Sequence, residues 1–283
     1  MKIFNGKSEG EKILLKLKKA LKKEKITPKL AIILVGENKA SKLFIRRKKE
    51  AAKVVGIEVE LYKYKKEVSQ KKIVEKIEKL NKDQSVNGIV VQLPLPKNFD
   101  TERIIEKINP KKDVDGFHPL NRKLLKMGKP YFFPVLPSAI WIALRKARKS
   151  YSKKKILALV NSKVFGQTLK NFLERKKIKI DYLLRKNYSL SEIEKKLKSA
   201  DVIITVCGQP KLIKGQMIKK AAILLDGGIT LTKKGKLIGD IDRESVRKKA
   251  GFLTPVPGGL GPLTVSLLLR NVYLAQKIQK QKL

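Results

Sequence analysis

Apolar runs of strand length alternate along this chain with stretches in which apolar residues recur at helical spacing. The pattern predicts a buried strand at 29–35 and an amphipathic helix at 39–55, which ends before a glycine. It restarts in the second half, with a strand expected at 155–160 and a helix at 166–175. Such alternation predicts parallel sheets, which bind ligands beyond the carboxyl ends of their strands. We therefore expect an α/β protein of two halves joined near residues 121–138.

Further elements complete the alternation. We expect strands at 57–62, 88–92, 178–184, 201–206 and 221–226, and helices at 71–80, 138–149, 191–199 and about 263–280. A loop-rich stretch is expected from the prolines at 94 and 96 to about Phe133.

Composition limits the classes of protein that remain. Cys207 is the only cysteine, which excludes an internal disulfide and a cysteine-based zinc cluster, and we expect no bound metal. The N-terminus turns polar before a signal segment develops, and no run approaches the ~18 apolar residues of a membrane span. We expect a cytoplasmic protein without a membrane partner.

The charge is unusual, with 67 Lys and Arg against 25 Asp and Glu, a formal net charge of +42. Such a field attracts nucleic acids and anionic surfaces. The basic residues nevertheless recur along nearly every predicted helix, and aromatic residues make up only 6% of the chain. We therefore interpret them as solvated helix faces and expect only non-specific electrostatic binding of nucleic acid.

One lysine lies in an apolar stripe of the first long predicted helix. Phe44, Lys48, Ala51 and Val55 follow one another at helical spacing and share a face. A lysine there loses solvation, which lowers its pKa and suits it to carrying protons near neutral pH. The alternative is a lysine whose stem lies on the apolar surface while its ammonium reaches solvent.

Polar residues follow the predicted strand at 88–92. Gln92 ends that strand, where its amide would orient a lysine or a substrate, or only cap the strand. Asp115 lies in a turn with the single histidine, His118, and a carboxylate there suits paired N–H donors of a heterocycle. The alternative for Asp115 is a local turn, and we interpret His118 as a loop histidine with satisfied hydrogen bonds.

The strand–helix junction of the second half occupies the position of a dinucleotide phosphate loop. Its sequence, Val160-Asn161-Ser162 followed by Gly166, is poor in glycine. After the next strand comes Arg185, where a basic residue suits a ribose phosphate better than a ribose hydroxyl.

Several ordered motifs resemble the bifunctional methylenetetrahydrofolate dehydrogenase/methenyltetrahydrofolate cyclohydrolase family. The helix residues Ser41, Phe44 and Lys48 match its Ser-x-x-Tyr-x-x-x-Lys pattern, and the resemblance covers roughly residues 28–271. The most specific motifs are Gly-Ile-Val-Val-Gln-Leu-Pro-Leu-Pro at 88–96, Lys-Asp-Val-Asp-Gly-Phe-His at 112–118 with Asn121, Asp-Gly-Gly-Ile at 226–229, and Thr-Pro-Val-Pro-Gly-Gly-Leu-Gly-Pro-Leu-Thr at 254–264.

The resemblance implies an αβα substrate domain at 1–130, completed by the C-terminal helix at 263–283, and a Rossmann-like NAD(P)-binding domain at 131–262. It implies a homodimeric, multifunctional enzyme of one-carbon metabolism, an oxidoreductase and hydrolase. The enzyme would oxidise methylenetetrahydrofolate with NADP, or with NAD, and hydrolyse the methenyl product to formyltetrahydrofolate.

The family pattern also assigns residue roles. Lys48 would be the general acid/base, Gln92 would position it, and Asp115 would hold the pterin. The other expected contacts are Phe44, Pro257, Gly258 and Gly259 for the substrate, and Val160, Asn161, Ser162, Gly166, Arg185 and Ile229 for the cofactor.

The chain departs from the family pattern mainly on the cofactor side. Val160-Asn161-Ser162 replaces Gly-Arg-Ser, Leu-Arg-Lys-Asn at 184–187 replaces a Cys-His-Ser segment, and the segment 134–139 also differs. On the substrate side, Phe44 replaces a tyrosine. Arg185 and Lys186 are expected to take over from the lost arginine. The alternatives are a cyclohydrolase with a decayed nucleotide site and a non-catalytic basic binding protein.

Overall fold

A computed structural model describes residues 1–147, 151, 153–232 and 234–281. The chain forms two compact units. Unit 1 combines Met1–Glu9 with Leu136–Thr264, and unit 2 combines Gly10–Val135 with Val265–Leu283. The predicted helix ends at Lys149 and Leu283 lie outside the described residues. The assignment of a substrate domain and a nucleotide domain to sequence ranges stays a prediction.

The helices are labelled in chain order. They are α1 (Gly6–Glu24), α2 (Lys39–Val55), α3 (Gln70–Lys82), α4 (Thr101–Glu106), α5 (Pro119–Met127), α6 (Val135–Ala147), α7 (Lys163–Glu174), α8 (Leu190–Leu197), α9 (Arg243–Val246) and α10 (Leu260–Lys280).

The strands are labelled in the same way. They are β1 (Lys2–Ile3), β2 (Lys29–Val35), β3 (Glu58–Tyr64), β4 (Gly88–Val91), β5 (Ile156–Val160), β6 (Asp181–Leu184), β7 (Val202–Val206), β8 (Ile223–Asp226), β9 (Thr230–Leu231), β10 (Leu237–Ile238) and β11 (Phe252–Thr254).

The sheet of unit 2 is parallel and runs in the order β3-β2-β4. Every residue of β2 from Leu30 to Val35 is buried, which explains why this strand reads as an unbroken apolar run. Helix α3 places Ile73, Ile77 and Leu80 in the same core as β2 and β4. The sheet therefore presents the carboxyl ends of β2 and β4 as one edge.

Helix α2 is fixed at both ends by residues suited to those positions. The Asn38 side chain accepts a hydrogen bond from the Ser41 N–H at 2.9 Å, which satisfies a free donor of the first turn. Gly56 ends the helix in the left-handed conformation, with φ of 91°, which glycine adopts without steric cost. These caps set the rotation of α2 and hence the direction of Lys48.

The main sheet of unit 1 is also parallel and runs in the order β1-β11-β8-β7-β5-β6. The chain passes from β5 to β6 on one side and then to β7 on the other. Open α/β sheets bind ligands at such a reversal of strand order, beyond the carboxyl ends of the strands. This places the crevice of unit 1 at the ends of β5 and β7.

The α/β class with parallel sheets is confirmed, and the stretch expected to be loop-rich contains α4 and α5. Helix α5 begins after His118, whose ring caps it, and ends at Gly128 with φ of 93°. Helix α7 begins at Lys163, three residues earlier than predicted, because Ser162 caps its first turn. Within the described residues, no helix has the length and apolarity needed to cross a membrane.

Candidate active site

Lys48 lies on the core-facing side of α2. The buried residues of this helix are Ser41, Ile45, Ala52 and Val55, and Lys48 occupies the gap between Ile45 and Ala52 in that stripe. Phe44 and Ala51, which we expected to share this face, are half-buried at its margin. The prediction that Lys48 belongs to the apolar stripe is confirmed.

The Lys48 ammonium contacts the side chain of Gln92, which follows β4; the strand ends at Val91, one residue earlier than predicted. The Lys48 Nζ donates a hydrogen bond to Oε1 of Gln92 at 2.9 Å. The Gln92 Nε2 in turn donates to the carbonyl of Leu93 at 2.9 Å, and this bond keeps the amide oxygen directed at the lysine. An amide oxygen accepts a hydrogen bond from both the charged and the neutral amine, so Gln92 holds Lys48 through a change of protonation.

Lys48 and Asp115 influence each other electrostatically. Burial lowers the pKa of Lys48, and the charge of Asp115 opposes that shift. Burial raises the pKa of Asp115 to about 6, an effect that Lys48 opposes and Asp113 reinforces. Both residues are partly exposed. The atoms packed around the Lys48 ammonium and the Asp115 carboxylate nevertheless exclude enough water for desolvation to dominate both pKa shifts. Such opposed shifts are typical of acid–base sites.

Asp115 reaches this position because its turn runs beside β4. The Ile89 N–H donates to the Lys112 carbonyl at 2.8 Å, and Ile89 pairs with Asp113 in parallel register. A parallel register carries Asp115 towards the end of β4, where Gln92 follows. Sequence motifs that are more than 20 residues apart therefore meet at one sheet edge.

Asp113 shapes the turn itself. Its buried carboxylate accepts hydrogen bonds from the N–H groups of Gly116 at 3.2 Å and His118 at 2.8 Å, and from Nδ2 of Asn121 at 2.8 Å. Gly116 has φ of 82°, and a Cβ there would lie 2.8 Å from Pro134 Cα. The turn consequently requires glycine at 116. Asp113 stabilises the turn through these hydrogen bonds, whereas the carboxylate of Asp115 faces Lys48.

Both ring nitrogens of His118 form hydrogen bonds. Nδ1 accepts from the Leu120 N–H at 2.9 Å, and Nε2 lies 3.0 Å from the Glu106 carbonyl. This pattern requires the neutral Nε2–H tautomer, and burial lowers the pKa of His118 accordingly. The interpretation of His118 as a satisfied loop histidine is confirmed.

Sequence analysis missed Asn271 of α10. Its Nδ2 donates to the carbonyls of Val114 at 2.9 Å and Phe133 at 3.1 Å, and the residue is 1% exposed. Asn271 therefore fixes the backbone immediately before Asp115. A signal was present, because this uncharged polar residue lies at helical spacing from Leu267 and Leu268 in a helix predicted from the sequence.

In unit 1, the residues of the expected phosphate loop serve several structural roles. The Val160 side chain is fully buried, so only its backbone faces the crevice. The Asn161 side chain donates to the Cys207 carbonyl at 3.2 Å, across the reversal between β5 and β7. Ser162 caps α7, and a Cβ on Gly166 would lie 2.5 Å from the Tyr182 ring. Gly166 thus permits close packing of α7 on β6.

Arg185 lies beyond β6 and is held in place by two hydrogen bonds. Its Nε donates to Oε1 of Gln209 at 3.0 Å, and its Nη1 donates to the Tyr188 carbonyl at 2.9 Å. Lys186 next to it is exposed. The segment after β6 therefore offers two cations, and their contact with a ribose phosphate stays a prediction.

A pair of buried aspartates organises the turn that contains Ile229. Asp226 accepts hydrogen bonds from the N–H groups of Gly228, Asp240 and Ile241 at 2.9–3.1 Å. Burial raises the pKa of Asp226 to about 7, and the neighbouring Asp240 adds to this shift. Ile229 is half-buried in this turn. Sequence analysis missed Asp240, because its contacts join segments that are distant in the chain.

The proline–glycine loop begins where β11 ends. Pro257 is exposed, and Gly258 adopts φ of 100°, a conformation that favours glycine. The Gly259 N–H donates to the Pro255 carbonyl at 2.7 Å, and Gly258 accepts from the Gly6 N–H at 2.9 Å. The loop therefore has a fixed backbone within unit 1. Contacts of Pro257, Gly258 and Gly259 with a substrate stay predictions.

Family comparisons cover nearly all of the chain. The family model described as tetrahydrofolate dehydrogenase/cyclohydrolase, catalytic domain, matches residues 4–115, and the model of the corresponding NAD(P)-binding domain matches residues 134–280. The bifunctional protein FolD of Acetivibrio thermocellus is 37% identical over 281 residues, which are 98% of each chain. That of Staphylococcus aureus is 38% identical over 261 residues, 92% of this chain and 90% of the relative.

Solved structures agree with these matches. The Campylobacter jejuni bifunctional enzyme FolD is 35% identical with a TM-score of 0.85, and the match covers 100% of both chains. The Trypanosoma brucei FolD, complexed with NADP and an inhibitor, has a TM-score of 0.89 at 28% identity and covers 99% of this chain and 98% of its own. These similarities extend through both units described above. The chain therefore belongs to the tetrahydrofolate dehydrogenase/cyclohydrolase family.

Proposed function

We propose that this chain oxidises methylenetetrahydrofolate to methenyltetrahydrofolate with NADP and hydrolyses the methenyl product to formyltetrahydrofolate. The observation that carries the proposal is the desolvated Lys48 amine, held 2.9 Å from Gln92 and electrostatically coupled to Asp115. Opening of the methenyl ring requires a group that moves protons near neutral pH, and a lysine with a lowered pKa meets that requirement.

Each member of this group has a distinct role. Lys48 takes a proton from the attacking water and returns one to the ring nitrogen that leaves, while the hydroxyl proton of the adduct is released to solvent as the formyl carbonyl forms. Gln92 keeps the amine in place through both protonation states, because its oxygen accepts from either. Asp115 binds paired N–H donors of the pterin, for which an ionised carboxylate is the suitable acceptor. A neutral amine also avoids repelling the cationic methenyl bridge, which a permanent positive charge would do.

The donors of unit 1 fit a phosphorylated dinucleotide. The N-terminus of α7 supplies backbone N–H groups at the crevice, capped by Ser162, and Arg185 and Lys186 supply cations beyond β6. NADP, when bound, supplies the nicotinamide ring that accepts a hydride. Asn161 adds no charge, because its amide is neutral, and its Nδ2 donates to the Cys207 carbonyl. Val160 contributes backbone groups, Gly166 allows α7 to pack closely on β6, and Ile229 lies in a neighbouring turn.

Absorbance assays test the proposal directly. NADP-dependent appearance of methenyltetrahydrofolate measures the oxidation, and loss of methenyl absorbance without nucleotide measures the hydrolysis. We expect both. Hydrolysis without any NADP-dependent or NAD-dependent oxidation would contradict the dehydrogenase activity. The absence of both, together with salt-sensitive binding of RNA, would contradict the whole proposal.

A double variant tests the source of cofactor selectivity. In Arg185→Ala/Lys186→Ala we expect the KM for NADP to rise while the KM for NAD stays close to that of the parent, because only NADP carries the additional phosphate. Lys195→Ala/Lys248→Ala, at two exposed positions, is a control that removes the same charge from the same unit. Unchanged selectivity in the first variant would refute the assignment.

We also propose that the enzyme is a homodimer, which family resemblance supports. Size-exclusion chromatography with light scattering measures the molar mass without reference to shape. A mass equal to that of one 32.1 kDa chain across the concentrations used for catalysis would contradict this proposal.

A further inference from the structure

The Asp240 carboxylate accepts three hydrogen bonds from the end of β7 and the segment that follows it. Its Oδ2 accepts hydrogen bonds from the Thr205 hydroxyl and the Cys207 N–H, both at 2.7 Å. Its Oδ1 accepts from the Gln209 N–H at 2.7 Å. The residue is fully buried. One carboxylate thus fixes alternate residues of the segment 205–209, at the carboxyl edge where the crevice of unit 1 lies.

The segment 205–209 contacts the residues expected to face the nucleotide. The Cys207 carbonyl accepts from Nδ2 of Asn161, the residue that follows β5. The Gln209 side chain accepts from Nε of Arg185, the residue that follows β6. The ends of β5 and β6 are therefore each tied to the turn that Asp240 fixes.

The position of Asp240 is itself determined by close contacts. Its N–H donates to Oδ1 of Asp226, and a Cβ on Gly228 would lie 2.0 Å from the Asp240 carboxylate. Gly228 therefore admits this carboxylate, where any side chain would collide with it. An amide in its place would direct an NH₂ group at one of the three donors, because an amide has only one acceptor oxygen.

We propose that Asp240 is a positioning residue for NADP, acting through the 205–209 segment to place Asn161 and Arg185. The inference rests on the proposed dehydrogenase activity. Asp240 does not contact the cofactor in this scheme. Its carboxylate sets the backbone, Gln209 transmits that position to the guanidinium, and the guanidinium binds phosphate. The ring-opening site at Lys48 lies in unit 2 and is outside this chain of contacts.

The first experiment compares Asp240→Asn with Asp201→Asn in the full-length enzyme. Asp201 is a matched control because it accepts the Lys155 N–H at 2.8 Å at the amino end of the same strand, β7, away from the crevice. For Asp240→Asn we expect the KM for NADP to rise about tenfold or more, with the ring-opening rate unchanged. For Asp201→Asn we expect an unchanged KM. Equal KM values in Asp240→Asn and the parent would overturn the proposal.

The second experiment removes the link to Arg185 without a buried substitution. Gln209 is exposed, so Gln209→Ala is expected to fold, and exposed Gln216→Ala in the same unit is its control. We expect Gln209→Ala to raise the KM for NADP but not that for NAD. If Asp240→Asn loses ring opening in addition to NADP binding, the variant has lost its fold. Gln209→Ala then decides whether the contacts of the 205–209 segment position Arg185. An unchanged KM for NADP in Gln209→Ala then overturns the inference, whereas a parent enzyme without NADP-dependent oxidation overturns the proposed function instead.

Discussion

Replacing Lys48 with methionine separates proton transfer from folding. Methionine keeps an unbranched side chain of similar length and is apolar, so it suits the stripe between Ile45 and Ala52. The change removes the hydrogen bond to Gln92, worth about 0.5–3 kcal/mol over the neutral and charged forms of the amine, and also removes the cost of desolvating that polar group. Because the two effects oppose each other, we expect the free energy of unfolding to change by no more than about 1 kcal/mol.

The effect on catalysis is expected to be far larger. A positioned general acid–base group contributes roughly 10²–10⁴ in rate, which corresponds to about 3–5 kcal/mol of activation free energy. We therefore expect ring opening to slow by that factor in Lys48→Met, with the melting temperature nearly unchanged. The measurement is the decay of methenyl absorbance under single-turnover conditions, with thermal unfolding recorded on the same samples.

Lys49→Met is the matched control. Lys49 follows Lys48 on α2 but is exposed, so the same substitution removes a charge without touching the site. We expect its ring-opening rate to stay within about twofold of the parent. If Lys48→Met also retained its rate, Lys48 would not carry the proton, and the proposed mechanism would be refuted.

Three further changes test the surroundings of the lysine. Gln92→Glu places an opposite charge beside Lys48, which raises its pKa, so the pH midpoint of ring opening should move upward; an unshifted pH–rate profile contradicts this coupling. Asp115 has a pKa of about 6 and is protonated below it, so the KM for the folate substrate should rise as the pH falls through about 6, and a flat KM would argue against carboxylate binding of the pterin. Asn271→Ala removes two hydrogen bonds to backbone carbonyls, of which the one to Val114 is buried, so denaturant titration should show a loss of about 1–3 kcal/mol together with a raised folate KM; an unchanged KM would show that the asparagine does not position Asp115.

Local sequence signals predicted the elements that hold Lys48 and Gln92. Strand β2 occupies the predicted residues 29–35, because burial on both faces leaves an unbroken apolar run. Helix α2 occupies the predicted 39–55, because Asn38 and Gly56 are strong end signals. The position of Lys48 in the apolar stripe was predicted from helical spacing, which holds because the helix was placed correctly. For Gln92 the sequence pattern left open contact with a lysine, contact with a substrate or a strand cap, and only the resemblance indicated that Asp115 would act together with Lys48.

The features that sequence analysis missed depend on long-range contacts. Asp240 acts on residues more than 30 positions earlier, and nothing in its own neighbourhood indicates those partners. Strand β1 pairs with β11 over two residues, which is too short for any periodicity to show. The start of α7 was missed although Ser162 is a typical N-cap residue, because the segment was read as a phosphate loop.

The discontinuous composition of both units constrains how the protein is made. Strand β1 pairs with β11 through Lys2 and Phe252, and Asn271 anchors Val114 across 157 positions. A ribosome must therefore synthesise almost the whole chain before either unit acquires its last strand or helix. No single cut divides the gene into two fragments that each encode a complete unit. Shortening the C-terminus is accordingly expected to damage the lysine site before it damages the nucleotide crevice.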